Sequence, residues 1–160
     1  MTARAGVGYD SHRLEAGRRL VLGGVEIPGA ELGLAGHSDA DALTHAVIDA
    51  LLGAAGLGDI GARYPDTDER WRDADSIELL RDVVAAVAAA GWRVGNVDAT
   101  VVCEAPKLGP HRAAMVATLA AGLGVGEGVV NVKFTTNERM GPIGRGEGIA
   151  ALATATLVAA

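Results

Sequence analysis

The sequence predicts a single α+β domain, a mixed β-sheet layered with helices on one face. Three observations lead there. Strand-like and helix-like apolar periodicities alternate along the chain. Its 160 residues suit one domain, or at most two very small ones, and neither repeat nor linker divides them. Composition is 49% hydrophobic but only 3% aromatic, so the core must be built from Ala, Val and Leu. Such side chains bury little area each, at roughly 25 cal/mol per Å², and a subunit of this kind stands to gain from oligomerising.

Taken in order, Val7, Tyr9 and Ser11 alternate with Gly8, Asp10 and His12 as a short two-faced strand. Arg19–Leu22 and Val25–Pro28 flank Gly23-Gly24, a pair suited to a primed hairpin turn. Glycines between 29 and 36 mark a loop. Ser38-Asp39-Ala40-Asp41 reads as a capping box for a helix running to about Ala55, with Leu43, Val47, Ala50 and Leu51 inside. Residues 56–75 read as irregular. Asp75 or Ser76 caps a second helix, with Leu79, Leu80, Val83, Val84 and Val87 inside and Gly91 ending it. Val94–Cys103 is a strand, 106–110 a turn, and Pro110 stands near the first position of a third helix that reaches about Leu123. Val129, Val130, Val132 and Phe134 mark a further strand. The final run from Ile149 stays ambiguous: its alanines favour a helix, while Thr154, Thr156 and Val158 favour a strand.

Composition also excludes functions. One cysteine makes neither an internal disulfide nor a cysteine-only zinc site. With 20 acidic and 14 basic residues the formal net charge is −6, and no basic run offers a general nucleic-acid surface. Charge alone also weighs against a polyanionic substrate. The N-terminus lacks the apolar core of a signal peptide and no apolar stretch suits a bilayer span, so a soluble cytoplasmic protein without membrane or nucleic-acid partners is expected.

The polar residues are unevenly placed. Asp10 and His12, two apart on a strand, project to one side, and His45 inside the first helix supplies a third donor. Two nitrogens and one oxygen with a fourth position open describe a zinc site that holds substrate or water, and Asp49, one turn on, could orient His45. The same pattern also reads as two hydrogen-bonded histidines at a junction of elements. His37 and Ser38 stand at a helix start, where free N–H groups favour an anion, although Ser38 as a simple cap serves equally and both can hold. The acidic stretch from Asp59 to Asp68 is either solvated surface or a lid. Ala105–Pro110 reads as a rigid connector. Thr135, Thr136 and Glu138, just past a strand and preceded by Lys133, could bind phosphate with its divalent cation. Residues 144–148, Gly-Arg-Gly-Glu-Gly, look like a phosphate loop but lack the P-loop spacing, and their glycines equally allow close packing. Cys103 reads as a small buried residue and His111 as structural.

As an ordered set these segments resemble the 2-C-methyl-D-erythritol 2,4-cyclodiphosphate synthase family of non-mevalonate isoprenoid biosynthesis. The matching motifs are Gly8-Tyr9-Asp10-Ser11-His12, residues 36–41 with His45, residues 49–54, Gly58-Asp59-Ile60-Gly61 and Pro65-Asp66-Thr67-Asp68. Later come Ala105-Pro106-Lys107, Asn131-Val132-Lys133, Thr135-Thr136 with Glu138, and residues 144–150. They run from about Gly6 to the end, so one domain over residues 1–160 is expected, without the nucleotidyltransferase domain fused in some relatives.

The resemblance implies a phosphorus–oxygen lyase. Its substrate would be 4-diphosphocytidyl-2-C-methyl-D-erythritol 2-phosphate, whose 2-phosphate attacks the β-phosphorus to give the cyclic diphosphate and CMP. It assigns zinc to Asp10, His12 and His45, and a second cation, magnesium or manganese, to Glu138 with the diphosphate. It gives His37 and Thr136 a transition-state role, Ser38 a phosphate contact, and Asp59 and Gly61 the ribose. Tyr64, Asp66 and Asp68 belong to a loop over the erythritol, and Cys103, Ala105, Pro106, Lys107, Leu108 and Gly109 to the cytosine pocket. The resemblance sets Thr135 beside the diphosphate. The family implies a homotrimer with sites between subunits, and Arg145 matches an arginine that lines a central cavity able to hold isoprenoid diphosphates in some members. Two positions depart from the pattern: Pro142, where an aromatic often flanks that cavity, and Gly109, where a larger residue is common near the cytidine. Competing readings are a metal-stabilised sensor of nucleotides or isoprenoid diphosphates and a zinc phosphohydrolase acting through metal-activated water.

Overall fold

A computed structural model describes residues 2–160; Met1, part of the expected domain, lies outside the described residues. The domain is the α+β unit read from the sequence. Its five-stranded sheet has the order β4-β1-β7-β5-β6, built from β1 (Ala3–Ala16), β4 (Leu32–Leu34), β5 (Trp92–Val102), β6 (Val130–Thr135) and β7 (Gly148–Ala159). Strands β5 and β6 are parallel and the other pairs antiparallel, so the sheet is mixed. A separate hairpin joins β2 (Val21–Leu22) to β3 (Val25–Glu26). Gly23 and Gly24 both take positive φ, 60° and 71°, as its primed turn requires.

Helices α1 (Ala42–Ala55), α3 (Ser76–Ala89) and α4 (Arg112–Leu123) cover one face of the sheet. The irregular segment between α1 and α3 contains a single turn, α2 (Ile60–Arg63), and a 3₁₀ turn at Glu69–Trp71. A further turn, α5 (Gly141–Gly144), precedes β7. Helix α1 is buried almost all round, which the four-residue stripe expected for it understates.

The small-residue composition has a structural use. Gly6 and Gly8 of β1 lie directly beneath α1: a Cβ on Gly8 would stand 1.9 Å from the Ala46 carbonyl oxygen, and one on Gly6 2.1 Å from that of Ala50. Ala151, Ala153 and Ala155 of β7 fill the same layer and are buried. The opposite sheet face is bare: Val7 and Tyr9 are 64% and 61% exposed, with Leu152 beside them.

Several expectations change. The first strand is 14 residues long, because β7 pairs with it from Ala3 to Arg13. The Gly29–Gly36 loop contains β4, paired with Leu14–Ala16. The ambiguous C-terminal run is β7, alanines under α1 and Leu152, Thr154 and Thr156 toward the bare face. Val129 sits in a 3₁₀ turn rather than in β6. Pro110 lies within a 3₁₀ turn, Gly109–His111, and α4 begins after it. Ser38 does not cap α1. Asp41 does, accepting from Thr44 N at 2.9 Å and Thr44 Oγ1 at 2.7 Å, and its carboxylate also takes Gly23 N and Gly24 N. One buried aspartate therefore ties the hairpin turn to the helix start. Asp75, of the two candidates, caps α3.

Candidate metal centre and surrounding site

Asp10 and His12 lie on the α1 side of β1, in step with Gly6 and Gly8, and close packing of helix on strand lowers His45 onto them. Asp10 Oδ2 is 2.8 Å from His12 Nε2 and 3.0 Å from His45 Nδ1, and the two nitrogens are 3.3 Å apart. Among the described residues this trio could hold a metal ion. Donors held at about 2.0–2.1 Å from a tetrahedral zinc stand about 3.3 Å apart, so the trio fits with small outward adjustments. Hydrogen bonds reinforce the fit. His12 Nδ1 lies 2.8 Å from the Ala35 carbonyl, to which it donates, leaving Nε2 free to ligate. Burial opposes charge on Asp10 and on His12. Their mutual hydrogen bond, with His45 helping Asp10, outweighs it: the Asp10 carboxyl is held down to about 2 and the His12 imidazolium is favoured.

Asp49 does not orient His45. Its carboxylate accepts from Ile60 N at 2.8 Å, fixing the start of α2 instead. The partner of His45 is Ser76, whose Oγ lies 2.8 Å from Nε2. A serine at a helix start reads as a cap, and nothing linear links it to a histidine 31 positions earlier. Ser38 Oγ is 3.3 Å from the same nitrogen and accepts from Ala40 N. His37 adjoins it half-buried, and its Nε2 is buried with no hydrogen-bond partner among the described residues.

A second cluster lies beyond β5 and β6. Cys103 N donates to the Thr135 carbonyl, setting the Cys103–Gly109 segment beside Thr135, Thr136 and Glu138. Glu104, which sequence reasoning passed over, accepts from Asn137 N at 2.8 Å and holds the turn where Glu138 takes a φ of 51°. Thr136 Oγ1 accepts from Glu138 N, and the Glu138 side chain is exposed. Leu108 is buried, whereas Ala105, Lys107 and Gly109 are exposed, and the Ala105–Pro106 bond is cis. Burial pushes the Cys103 thiol up to about 11, and it donates to the Ala105 carbonyl, so it is no nucleophile. Lys133 points to the bare sheet face and pairs with Asp98.

The two clusters are not adjacent within one chain. Asp10 is level with Ala151, Val101 and Phe134, so β1 and β6 are three strand spacings apart, about 14 Å. The acidic segment is partly pinned. Asp59 caps α2, Asp68 is paired with Arg70, and Tyr64 is buried with its hydroxyl on Asp82, whereas Asp66 and Gly61 are exposed. Arg145 is exposed and bonded to Glu147 at 2.9 Å.

Comparison with known proteins places this geometry in context. The YgbB family matches residues 3–158. A 2-C-methyl-D-erythritol 2,4-cyclodiphosphate synthase from Bordetella petrii is 60% identical over 157 residues, 98% of this chain and 96% of its own. One from Dechloromonas aromatica is 59% identical, over 97% of this chain and 96% of its own. The bifunctional IspDF of Campylobacter jejuni superposes with a TM-score of 0.95 at 43% identity, covering 99% of this chain and 43% of that one. Plasmodium falciparum IspF in complex with CDP gives 0.86 at 31% identity, covering 98% and 96%.

Proposed function

Because the chain belongs to the YgbB family, matched over residues 3–158, we propose that it converts 4-diphosphocytidyl-2-C-methyl-D-erythritol 2-phosphate to 2-C-methyl-D-erythritol 2,4-cyclodiphosphate and CMP. One observation carries this reading: cyclodiphosphate synthases match almost the whole chain at about 60% identity. The metal-ligand geometry of the Asp10–His12–His45 trio agrees with it. An oxygen of the 2-phosphate forms a bond to the β-phosphorus, the bond from β-phosphorus to the CMP oxygen breaks, and no protein nucleophile takes part. Zinc held by Asp10, His12 and His45, and magnesium or manganese held by Glu138 with the diphosphate, would offset the charges that otherwise keep the two phosphates apart.

The side chains position the substrate. His37, with its unpartnered ring nitrogen, and Ser38 donate to phosphate oxygens near the metal centre, and Thr136 and Thr135 do so on the diphosphate. Asp59 and Gly61 take the ribose. Residues 103–109 take the cytosine, a nucleotide consistent with the CDP-bound relative. Tyr64, Asp66 and Asp68 lie over the erythritol; Tyr64 serves as the loop's anchor, since its hydroxyl is engaged with Asp82. The net charge of −6, which weighed against a polyanionic substrate, says little about a site that meets phosphate with cations held by its own carboxylates.

The working unit in this reading is a homotrimer. The bare face with Val7, Tyr9 and Leu152 supports association, and the separation between the clusters supports a site completed by a neighbouring subunit. Arg145 then lines the central cavity for an isoprenoid diphosphate, with Pro142 weakening that binding. Among the described residues no helix is long and apolar enough to cross a membrane; the cytoplasmic location belongs to this reading through the family resemblance. The test is incubation with the phosphorylated cytidine substrate, zinc and magnesium, followed by phosphorus NMR. A cyclic diphosphate with stoichiometric CMP is expected. A linear phosphate product would mean hydrolysis, and no turnover by the folded trimer would refute the assignment.

A further inference from the structure

We infer that Ser76 and Asp39 form a positioning relay for His45, setting which of its ring nitrogens ligates the metal. The inference rests on the metal-site reading above. His45 has one nitrogen for the metal centre and one for the protein: Nδ1 faces Asp10 and His12, and Nε2 faces Ser76 Oγ at 2.8 Å. A neutral imidazole carries one N–H, so the partner of Nε2 decides whether Nδ1 offers a lone pair.

Ser76 is committed as that acceptor by its own surroundings. Its hydroxyl donates to Asp39 Oδ1 and its backbone N–H donates to Asp39 Oδ2 at 2.9 Å, so the two donors chelate one carboxylate. With its proton spent on Asp39, the hydroxyl oxygen faces Nε2 as an acceptor. The resulting chain is carboxylate, hydroxyl, imidazole, metal, a carboxylate–histidine–metal arrangement with a serine inserted. Ser76 is fully buried and is the first residue of α3, while Asp39 is held by a further bond from Asp41 N at 3.2 Å.

The relay has a second consequence. Ser38 Oγ also lies near Nε2, at 3.3 Å, and would accept its hydrogen if Ser76 did not. With Ser76 taking that hydrogen, Ser38 Oγ is not held against His45 and its hydroxyl can turn toward a phosphate oxygen. His12 is oriented by a backbone carbonyl, which no side-chain substitution removes. His45 alone depends on a side chain from another helix.

The experiment measures zinc affinity by competition with a chromophoric chelator, and the visible spectrum of the cobalt(II)-substituted protein, for wild type, Ser76→Ala, Asp39→Asn and His45→Ala. Ser76→Ala is expected to bind zinc about 10–100-fold more weakly with an altered cobalt spectrum; Asp39→Asn, which keeps an acceptor but loses the charge, should fall between it and wild type. Wild-type affinity and spectrum in Ser76→Ala would overturn the relay. Should Ser76→Ala not fold by circular dichroism, Asp39→Asn decides: weakened zinc supports the relay and unchanged zinc overturns it. His45→Ala separates the two readings. If it keeps full zinc, the metal site itself is wrong; if it loses zinc while Ser76→Ala matches wild type, only the relay is wrong.

Discussion

Replacing Gly8 with alanine tests whether metal geometry is set by how closely α1 lies on β1. The added Cβ would stand 1.9 Å from the Ala46 carbonyl oxygen and 2.7 Å from Ala50 N, where ordinary contact begins at 3.4 Å. Both obstacles are backbone, so no side-chain rotation relieves them. Helix and strand must part by about 1.5 Å, and His45 adjoins the obstructing residue. Metal sites tolerate donor displacements of about 0.2 Å, so zinc should be lost from the folded protein. Overpacking of this kind costs about 1–3 kcal/mol, or roughly 2–4 °C in Tm per kcal/mol for a chain of this size. Gly53→Ala is the control, since its Cβ meets only the Val7 carbonyl oxygen at 4.0 Å, at an exposed position of the same helix. It should keep zinc and gain about 0.5–1 kcal/mol. Metal analysis, chelator competition and thermal melts read all of this. A Gly8→Ala protein that binds zinc with wild-type affinity would refute the reasoning.

Other outcomes follow from the same structure. Asp41→Ala removes the acceptor of four donors at a fully buried position and should cost about 3–5 kcal/mol in urea unfolding; a loss under about 1 kcal/mol would contradict the cross-link between hairpin and helix. In zinc-free protein the raised pKa of His12 contributes stability fully present below its ordinary value of 6.5 and lost as pH rises through the folded value. The lowered pKa of Asp10 contributes stability present above 3.8 and lost as pH falls toward about 2. Zinc requires neutral His12, so the Tm increase on adding zinc should grow from pH 6 to pH 8, and calorimetry showing no pH dependence would contradict it. Glu138→Ala should keep full zinc while turnover falls tenfold or more and loses its magnesium response, as a magnesium titration would show.

Much of the fold could be read from local pattern, and the misreadings have physical causes. The hairpin was legible because two adjacent glycines at positive φ leave few alternatives. Strand β7 was not, because alanine fits both periods; its alanines are there to admit α1, a tertiary demand that local propensity does not encode. Asp10 and His12 were legible from their two-residue spacing, which survives in β1. Ser76 beside His45 and Glu104 at the Glu138 turn were not, since each reaches its target through a contact more than 30 positions away. Asp49 illustrates the converse: one helical turn of spacing made it a plausible partner of His45, yet a nearby backbone N–H claimed it.

The placement of β1 bears on the order in which the molecule can be made. Asp10 and His12 leave the ribosome well ahead of β7, but their strand is hydrogen-bonded from Ala3 to Arg13 with β7, about 140 positions later for the two ligands. Until β7 emerges, β4 offers a ladder only to Leu14–Ala16, beyond both ligands. Pairings of such sequence separation are slow to close. The first two ligands are therefore translated long before the strand that fixes them, and a nascent chain cannot present its finished ligand set to a cation until β7 has emerged.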